Sequence, residues 1–434
     1  MYRQAIESLI NWKNNPYRKP LVVKGARQVG KTWLIKHFGK QYFQNIIYIN
    51  FDRDETAKGL FELDYNPTRI ISRLSAHARE EISPSDTLIF FDEIQECPKA
   101  LEAIKYFTEE APEYHIIVAG SLLGVSLHKD VSFPVGKVDF VDIYPLNFSE
   151  FLTALDEKRL ATALDSRDYE FLTPFHDRLM DYYRTYLVTG GMPEVVQRYL
   201  DTRSFLEVRS VQENIVEAYS RDFSKHAPAM EVPRIVEIFN IIPSILAREN
   251  KKFMFGAIRK SARAREYEAA LLWLANAGIV SKSVCVNKIA LPLSAYADKN
   301  IFKLFYLDAG LLGYKAGLRP DVILGDGEFF EEFKGALAEQ FVFQELKSHR
   351  ATPYYYSKDD SRTELDFLVD TDTGPTPIEV KSGRALASKS FTNFMRENTS
   401  IRRGYKLSVL PYQENEKTIN LPIYLAATIA PRPQ

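Results

Sequence analysis

Over the first 150 residues, short apolar runs alternate with stretches of helical period. Leu21-Val22-Val23, Asn45–Asn50, Thr87–Phe91, Tyr114–Ser121 and Val138–Ile143 each read as a strand. Continuous apolar runs such as Leu88–Phe91 suit strands buried on both faces, as in a parallel sheet. Between them, Thr32–Phe38 and Leu101–Phe107 place apolar residues at helical spacing. This alternation predicts a doubly wound α/β domain over 1–150.

From about Asn147 the pattern turns helical. Leu146–Leu152 reads as a helix start capped by Asn147 or Ser149. The aromatic-rich stretch Asp181–Leu187 is broken by Thr189-Gly190-Gly191-Met192-Pro193-Glu194 before the next helix, and 151–230 is expected to form a helical lid. Between Val232 and Val284, three short helices and a turn at Ala277-Gly278 predict a winged helix-turn-helix over 231–300. The final segment, 301–434, mixes the two periods. Gly335–Leu346 reads as an amphipathic helix. Glu364–Asp370 and Ile378–Lys381 read as a hairpin turning at Thr373-Gly374-Pro375.

A chain of 434 residues exceeds one core and is expected to form several domains. Its 45% apolar and 26% charged residues are those of an ordinary soluble protein. A net charge of −1 provides no global field for nucleic acid, so DNA contact would need a local patch. Only Cys97 and Cys285 occur, too few and too far apart for a disulfide framework or a thiolate zinc site. No signal-like apolar core opens the chain and no run is long enough to span a bilayer, so a cytoplasmic protein without membrane contact is expected. The aromatic residues, 13% of the chain, are dispersed and read as core rather than as a base-stacking platform.

The first candidate chemistry lies directly after the first strand, at Gly25-Ala26-Arg27-Gln28-Val29-Gly30-Lys31-Thr32. Strand, glycine loop and helix in this order form a phosphate-binding loop, in which backbone N–H groups of Gly25, Gln28, Val29 and Gly30 face phosphate oxygens. Lys31 is placed to reach the β- and γ-phosphates of a nucleoside triphosphate, and Thr32 to offer its hydroxyl to Mg²⁺. Sixty residues on, the apolar strand ends in Asp92-Glu93. Asp92 suits the magnesium shell and Glu93 suits polarisation of water. Ser121, at the carboxyl end of its strand, is placed either to sense the γ-phosphate or to cap a helix. Arg221 is a candidate charge-stabilising finger, with a helix-end ion pair as the plainer role.

Two further constellations remain. Between Arg248 and Glu268, seven Lys or Arg stand against three Glu, an excess able to meet phosphates of double-stranded DNA. In the last segment, Glu379 and Lys381 share a strand face, and Asp366 lies on the neighbouring strand of the hairpin. Two carboxylates and a lysine can hold Mg²⁺ and activate water against a phosphodiester, whereas a surface ion pair is the simpler alternative.

Taken together these motifs resemble the bacterial and archaeal AAA-type ATPases that carry a restriction-endonuclease-like C-terminal domain of uncharacterised function. The residues that carry the resemblance are Lys24–Thr32, Phe91–Gln95, Ala119-Gly120-Ser121, Phe133–Gly136, Tyr144–Phe151, Gly190–Glu194, Lys303–Leu311 and Glu379-Val380-Lys381. They span nearly the whole chain and keep the family order. The resemblance implies an AAA-type P-loop parallel sheet with helical lid, winged-helix module and C-terminal restriction-endonuclease-like α/β domain. It implies ATP and Mg²⁺ binding at Gly30, Lys31, Thr32, Asp92 and Glu93, and a nuclease-like set at Asp366, Glu379 and Lys381 with Glu339 as a helical fourth member. The chain departs from the family at Lys137, where arginine is expected. Neither substrate nor partner follows from the family. ATP hydrolysis coupled to DNA-associated modules and a nucleotide-dependent switch that binds a protein partner both stay open, as does a homo-oligomer in which Arg221 acts across subunits.

Overall fold

Each apolar run of the first third becomes a strand, and the strands form one parallel sheet. The computed structural model describes residues 1–120, 136–248, 251–325, 331–357, 364–383, 388–415 and 417–431. Ser121 and Phe133-Pro134-Val135 lie outside the described residues. The chain divides into two units, Tyr2–Tyr144 with Asn276–Gly278, and Pro145–Ala275 with Ile279–Gln434.

In the first unit, α1 (Ala5–Asn14) leads into β1 (Leu21–Lys24), α2 (Lys31–Tyr42), β2 (Asn45–Asn50), α3 (Glu55–Gly59), α4 (Pro67–Ala78), β3 (Thr87–Asp92), α5 (Pro98–Glu110), β4 (His115–Ala119) and β5 (Asp139–Asp142). The described strands pair in parallel in the order β2-β3-β4-β1-β5. Parallel pairing needs crossovers, and helices supply them, so both faces are covered and the strands read as apolar throughout. Ile89, Phe91, Ile116 and Val118 from the sheet pack with Leu74, Ile104 and Phe107 from the helices. Phe51, Phe61 and Phe91 meet with ring centroids 5.6–5.7 Å apart, the spacing of favourable aromatic pairs. This architecture brings the carboxyl ends of β1 and β3 to the same end of the sheet, on either side of β4.

The second unit begins with helices: α6 (Phe148–Ala154), α7 (Lys158–Ser166), α8 (Tyr169–Leu172), α9 (His176–Thr189), α10 (Pro193–Thr202), α11 (Phe205–His226), α12 (Val232–Leu246) and α13 (Ala264–Asn276). Asn147 caps α6 through a reciprocal box with Glu150, as its Asn-x-x-Glu spacing predicts. There follow β6 (Val280–Val286), β7 (Ala297–Tyr306), α14 (Ala309–Lys315), α15 (Pro320–Leu324), α16 (Glu331–Ser348), β8 (Tyr354–Ser357), β9 (Glu364–Thr371), β10 (Gly374–Val380), α17 (Lys389–Glu397), β11 (Gly404–Ser408), β12 (Gln413–Glu414) and β13 (Thr418–Pro422). These described strands make one mixed sheet in the order β12-β13-β11-β10-β9-β8-β6-β7.

Two expectations change here. The segment read as a winged helix does contain the antiparallel pair β6–β7, but β6 also pairs in parallel with β8, so the pair is the edge of the large sheet. The boundary expected at 300/301 therefore runs through β7. Second, α16 is not amphipathic. Every residue from Ala336 to Leu346 is buried; Gln340, Gln344 and Glu345, which looked like a solvent face, bond backbone groups, and Glu339 meets lysine side chains. Gln340 exchanges hydrogen bonds with both the N–H and the carbonyl of Tyr306, at 2.9 and 2.7 Å. The Gln344 side-chain oxygen accepts from Ala309 N at 2.9 Å, and Glu345 accepts from Phe148 N at 2.9 Å. Buried helix and strand ends need such partners, and here one central helix provides them.

The Gly190–Glu194 and Lys303–Leu311 motifs meet inside this unit. The buried Asp308 carboxylate caps α14 through Leu311 N and also accepts from Gly191 N at 2.6 Å. Gly190 has a φ of +69°, and a Cβ there would lie 2.0 Å from Asp308 Oδ1, so this turn requires glycine on two counts. Burial raises the Asp308 carboxyl to about 6 despite the hydrogen bonds from Gly191, Leu311 and Gly310.

Candidate nucleotide site and carboxylate–lysine cluster

The phosphate-binding loop leaves β1 and ends at Gly30, whose left-handed φ of +91° turns the chain into α2. At the start of the loop, a Cβ on Gly25 would lie 2.3 Å from the carbonyl of Ile143, so glycine lets β1 and the end of β5 approach. Arg3, buried beneath the loop, donates to Val29 O at 2.8 Å and to Tyr144 O at 2.5 Å and so pins the loop from below. Gln28 is exposed and holds a left-handed φ of +64° without being glycine.

Lys31 is 7% exposed and donates to the loop's own carbonyls, Gly25 O and Ala26 O, both at 2.8 Å. Burial lowers its ammonium to about 8, against the pull of Glu93 and Asp92, with Arg27 adding to the lowering. A buried cation whose hydrogen bonds go to carbonyls, with its charge lowered by burial, is poised for an anion. Beside it, Thr32 Oγ1 donates to Asp92 Oδ2 at 2.9 Å, joining the two groups expected to share a magnesium ion. Tyr48 OH donates to the same oxygen at 3.1 Å, and Asn50 in turn donates to Tyr48 OH at 3.3 Å. Burial raises the Asp92 carboxyl, opposed by the Thr32 hydrogen bond and reinforced by Glu93. A hydroxyl and a carboxylate side by side, next to a loop of backbone donors and one lysine, fit a magnesium–triphosphate donor set.

Glu93 has left-handed backbone, φ +51° and ψ +47°. Such a conformation costs a non-glycine residue about 1–3 kcal/mol and concentrates at functional sites. Gln95 Nε2 donates to Glu93 Oε2 at 2.5 Å, which aims the carboxylate. Arg3, Tyr48 and Asn50 were not singled out from the sequence, and Gln95 entered only as the end of a longer motif. Arg221 belongs to the second unit, on α11, where it is exposed and pairs with Glu217 at 3.2 Å as an i,i+4 surface bridge. Lys137 pairs with Glu109 at 2.9 Å.

In the second unit, Glu339, Asp366, Glu379 and Lys381 converge, but in company. Lys251 donates to Glu339 Oε1. The Lys303 ammonium lies 2.8 Å from Glu364 Oε1 and 3.8 Å from Glu339 Oε2. Lys381 Nζ and Ser388 Oγ both reach Glu379 Oε1 at 2.8 Å, and Val380 N donates to Asp366 Oδ2 at 2.8 Å. Burial, together with Glu339 and Glu379, pushes the Asp366 carboxyl well above the usual range, opposed by Lys303 and Lys251. Burial also works against the Lys303 charge, yet Glu339, Glu364 and Asp366 hold its ammonium above the ordinary value. Among the described residues no three carboxylate, imidazole or thiol groups form a set able to hold a metal ion. As arranged here, Lys251 and Lys303 join the expected Lys381, so three ammonium groups share the cluster with its carboxylates.

The basic segment also changes character. Lys251 is spent on Glu339, and Arg259 pairs with Glu266 at 3.1 Å. Lys260, Arg263 and Arg265 remain on the surface. Among the described residues no helix is long and apolar enough to cross a membrane.

Comparison with known proteins adds to this geometry. Residues 17–152 match a family model described as an AAA domain. Residues 180–322 and 334–427 match two models described as domains of unknown function, DUF8612 and DUF4143. No curated protein matches the chain. Among solved structures, the Walker-type ATPase PABY2304 of Pyrococcus abyssi is 16% identical, with a TM-score of 0.46, covering 72% of this chain and 95% of that one. Cdc6p of Pyrobaculum aerophilum is 14% identical with a TM-score of 0.28, covering 74% and 93%. AMPPCP-bound DnaA of Aquifex aeolicus is 14% identical with a TM-score of 0.29, covering 62% and 84%. Scores this low leave the fold to the strand order and the AAA match. On those grounds the first unit has a parallel α/β sheet that matches the fold of an AAA-type P-loop domain, and the second carries a separate α/β sheet.

Proposed function

We propose that the first unit binds ATP with Mg²⁺ and hydrolyses it, and that its nucleotide state governs the second unit. The observation that supports this best is the buried Lys31, held by two loop carbonyls beside the joined Thr32 and Asp92. In this reading the loop amides and Lys31 hold the phosphates, and Thr32 and Asp92 hold the ion. Bound magnesium would supply charge neutralisation on the phosphate oxygens. Glu93, steered by Gln95, would orient and polarise the attacking water.

What the nucleotide state acts upon divides the proposal. Coupling to double-stranded DNA would use the surface-exposed Lys260, Arg263 and Arg265. A protein partner is the second reading, and it is favoured by the loss of Lys251 and Arg259 to internal or local ion pairs. ATP turnover by the full chain with and without double-stranded DNA separates the two. Stimulation that fades as salt is raised supports the DNA reading. Turnover indifferent to DNA at low salt overturns it and leaves the partner switch.

A further inference from the structure

We infer that Lys303 is the built-in cation of the C-terminal cluster, its ammonium standing between Glu339 and Glu364 where a divalent ion would otherwise sit, so that the cluster is charge-compensated without metal. This inference does not depend on the nucleotide reading.

The placement follows from two periodicities. On β7, Lys303 and Phe305 are two apart and share a face. On α16, Glu339 and Phe343 are four apart and share a stripe. The rings of Phe305 and Phe343 stack with centroids 4.3 Å apart. That apolar contact fixes the register of strand against helix and so delivers Lys303 to Glu339. The Lys303 side chain is 1% exposed, and its ammonium also lies 4.9 Å from the centre of the Tyr355 ring.

Several other valences of the cluster are used as well, while the buried Glu339 Oε2 has no hydrogen bond among the described residues and faces the Lys303 ammonium at 3.8 Å. Lys251 holds Glu339, Lys381 and Ser388 hold Glu379, and the Val380 amide holds Asp366. A divalent ion needs several oxygen lone pairs turned towards one point with no like charge beside them. Here a magnesium ion would meet a buried ammonium already paired with two carboxylates. Burying a lysine is costly unless it is paired, and four acidic side chains against Lys251, Lys303 and Lys381 provide the pairing. The geometry thus assigns Lys303 the neutralising task that a metal performs in hydrolytic sites built on paired carboxylates.

The test uses Mn²⁺ alone, without nucleotide, on the full chain carrying Asp92→Asn so that the loop site does not contribute. Free Mn²⁺ is counted by its electron paramagnetic resonance signal, and melting is followed in parallel. The parent is expected to take up no Mn²⁺ that Asp366→Asn abolishes. Lys303→Met is expected to gain a Mn²⁺ site at least tenfold tighter than anything in the parent, to melt higher when Mn²⁺ is added, and to lose both properties when Asp366→Asn is added. Asp366-dependent Mn²⁺ uptake by the parent overturns the inference, and so does a folded Lys303→Met chain that gains no site. If Lys303→Met does not fold, the comparison of the parent with Asp366→Asn still decides, and Lys303→Arg, which keeps the charge, is expected to fold and to stay metal-free.

Discussion

The two units each bury a lysine, and the lysines are in opposite states. Lys31 sits under the phosphate loop among carbonyls, with its ammonium lowered to about 8 by burial. Lys303 sits in the mixed sheet among carboxylates that hold its charge above the ordinary range although burial opposes it. The first is an incomplete electrostatic arrangement that an anion would complete. The second already has its counter-charges in place. Lysine beside acidic residues near a strand end is therefore ambiguous until the counter-charges are counted, and the count separates a site that awaits a ligand from one that has become structural.

The largest predicted effect comes from deleting each charge in turn. Lys303→Met leaves buried carboxylates uncompensated and is expected to cost about 3–5 kcal/mol of stability by denaturant titration. Lys31→Met, which relieves a buried charge of its desolvation, is expected to leave the first unit as stable or to stabilise it at pH 7. If the two substitutions cost the same, the contrast between the sites fails.

A second effect sharpens the picture of the second unit. Burial raises the Glu345 carboxyl to about 8, with Phe148 N opposing and Glu150 and Asp165 adding to the rise. In the unfolded chain this carboxyl titrates near its ordinary 4.5. Between those values the folded state holds a proton that the unfolded state releases. The contribution is thus full below about 4.5 and is lost as pH rises towards about 8, with a slope of at most about 1.4 kcal/mol per pH unit. Glu345→Gln should flatten the fall in melting temperature over that window. An unchanged slope would show that Glu345 is ionised in the fold.

The third effect concerns the loop. If phosphate restores the Lys31 charge, nucleotide binding takes up a proton above about pH 8. The Kd for ATP is then expected to weaken by up to about tenfold per pH unit above that value, and Lys31→Met should abolish this dependence. Calorimetry in buffers of different ionisation enthalpy reads the proton directly, and an affinity independent of pH from 7 to 10 would contradict the scheme.

How much of this was legible depended on how local each feature is. The loop Gly25–Thr32 and the strand ending in Asp92-Glu93 carry their chemistry in contiguous residues, so spacing alone brought out Lys31, Thr32, Asp92 and Glu93. Tyr48 and Arg3 act across strands and loops, through Asp92 and Val29, and no local pattern marks such contacts. The hairpin Glu364–Val380 was readable from its turn residues. Lys303 was visible only as part of a longer motif, because its partners are set by the β6–β7 edge joining the large sheet and by the stacking of Phe305 on Phe343. Gln340, Gln344 and Glu345 misled, since polar residues at helical spacing resemble a wet face until their backbone partners are known.

The most direct measurement is steady-state ATP turnover by the full chain beside its Lys31→Ala and Glu93→Gln variants, with ATP binding measured on all three. The account predicts turnover reduced roughly a hundredfold or more in both variants, with binding weakened by Lys31→Ala and retained by Glu93→Gln. Turnover by Lys31→Ala equal to that of the unaltered chain would contradict it.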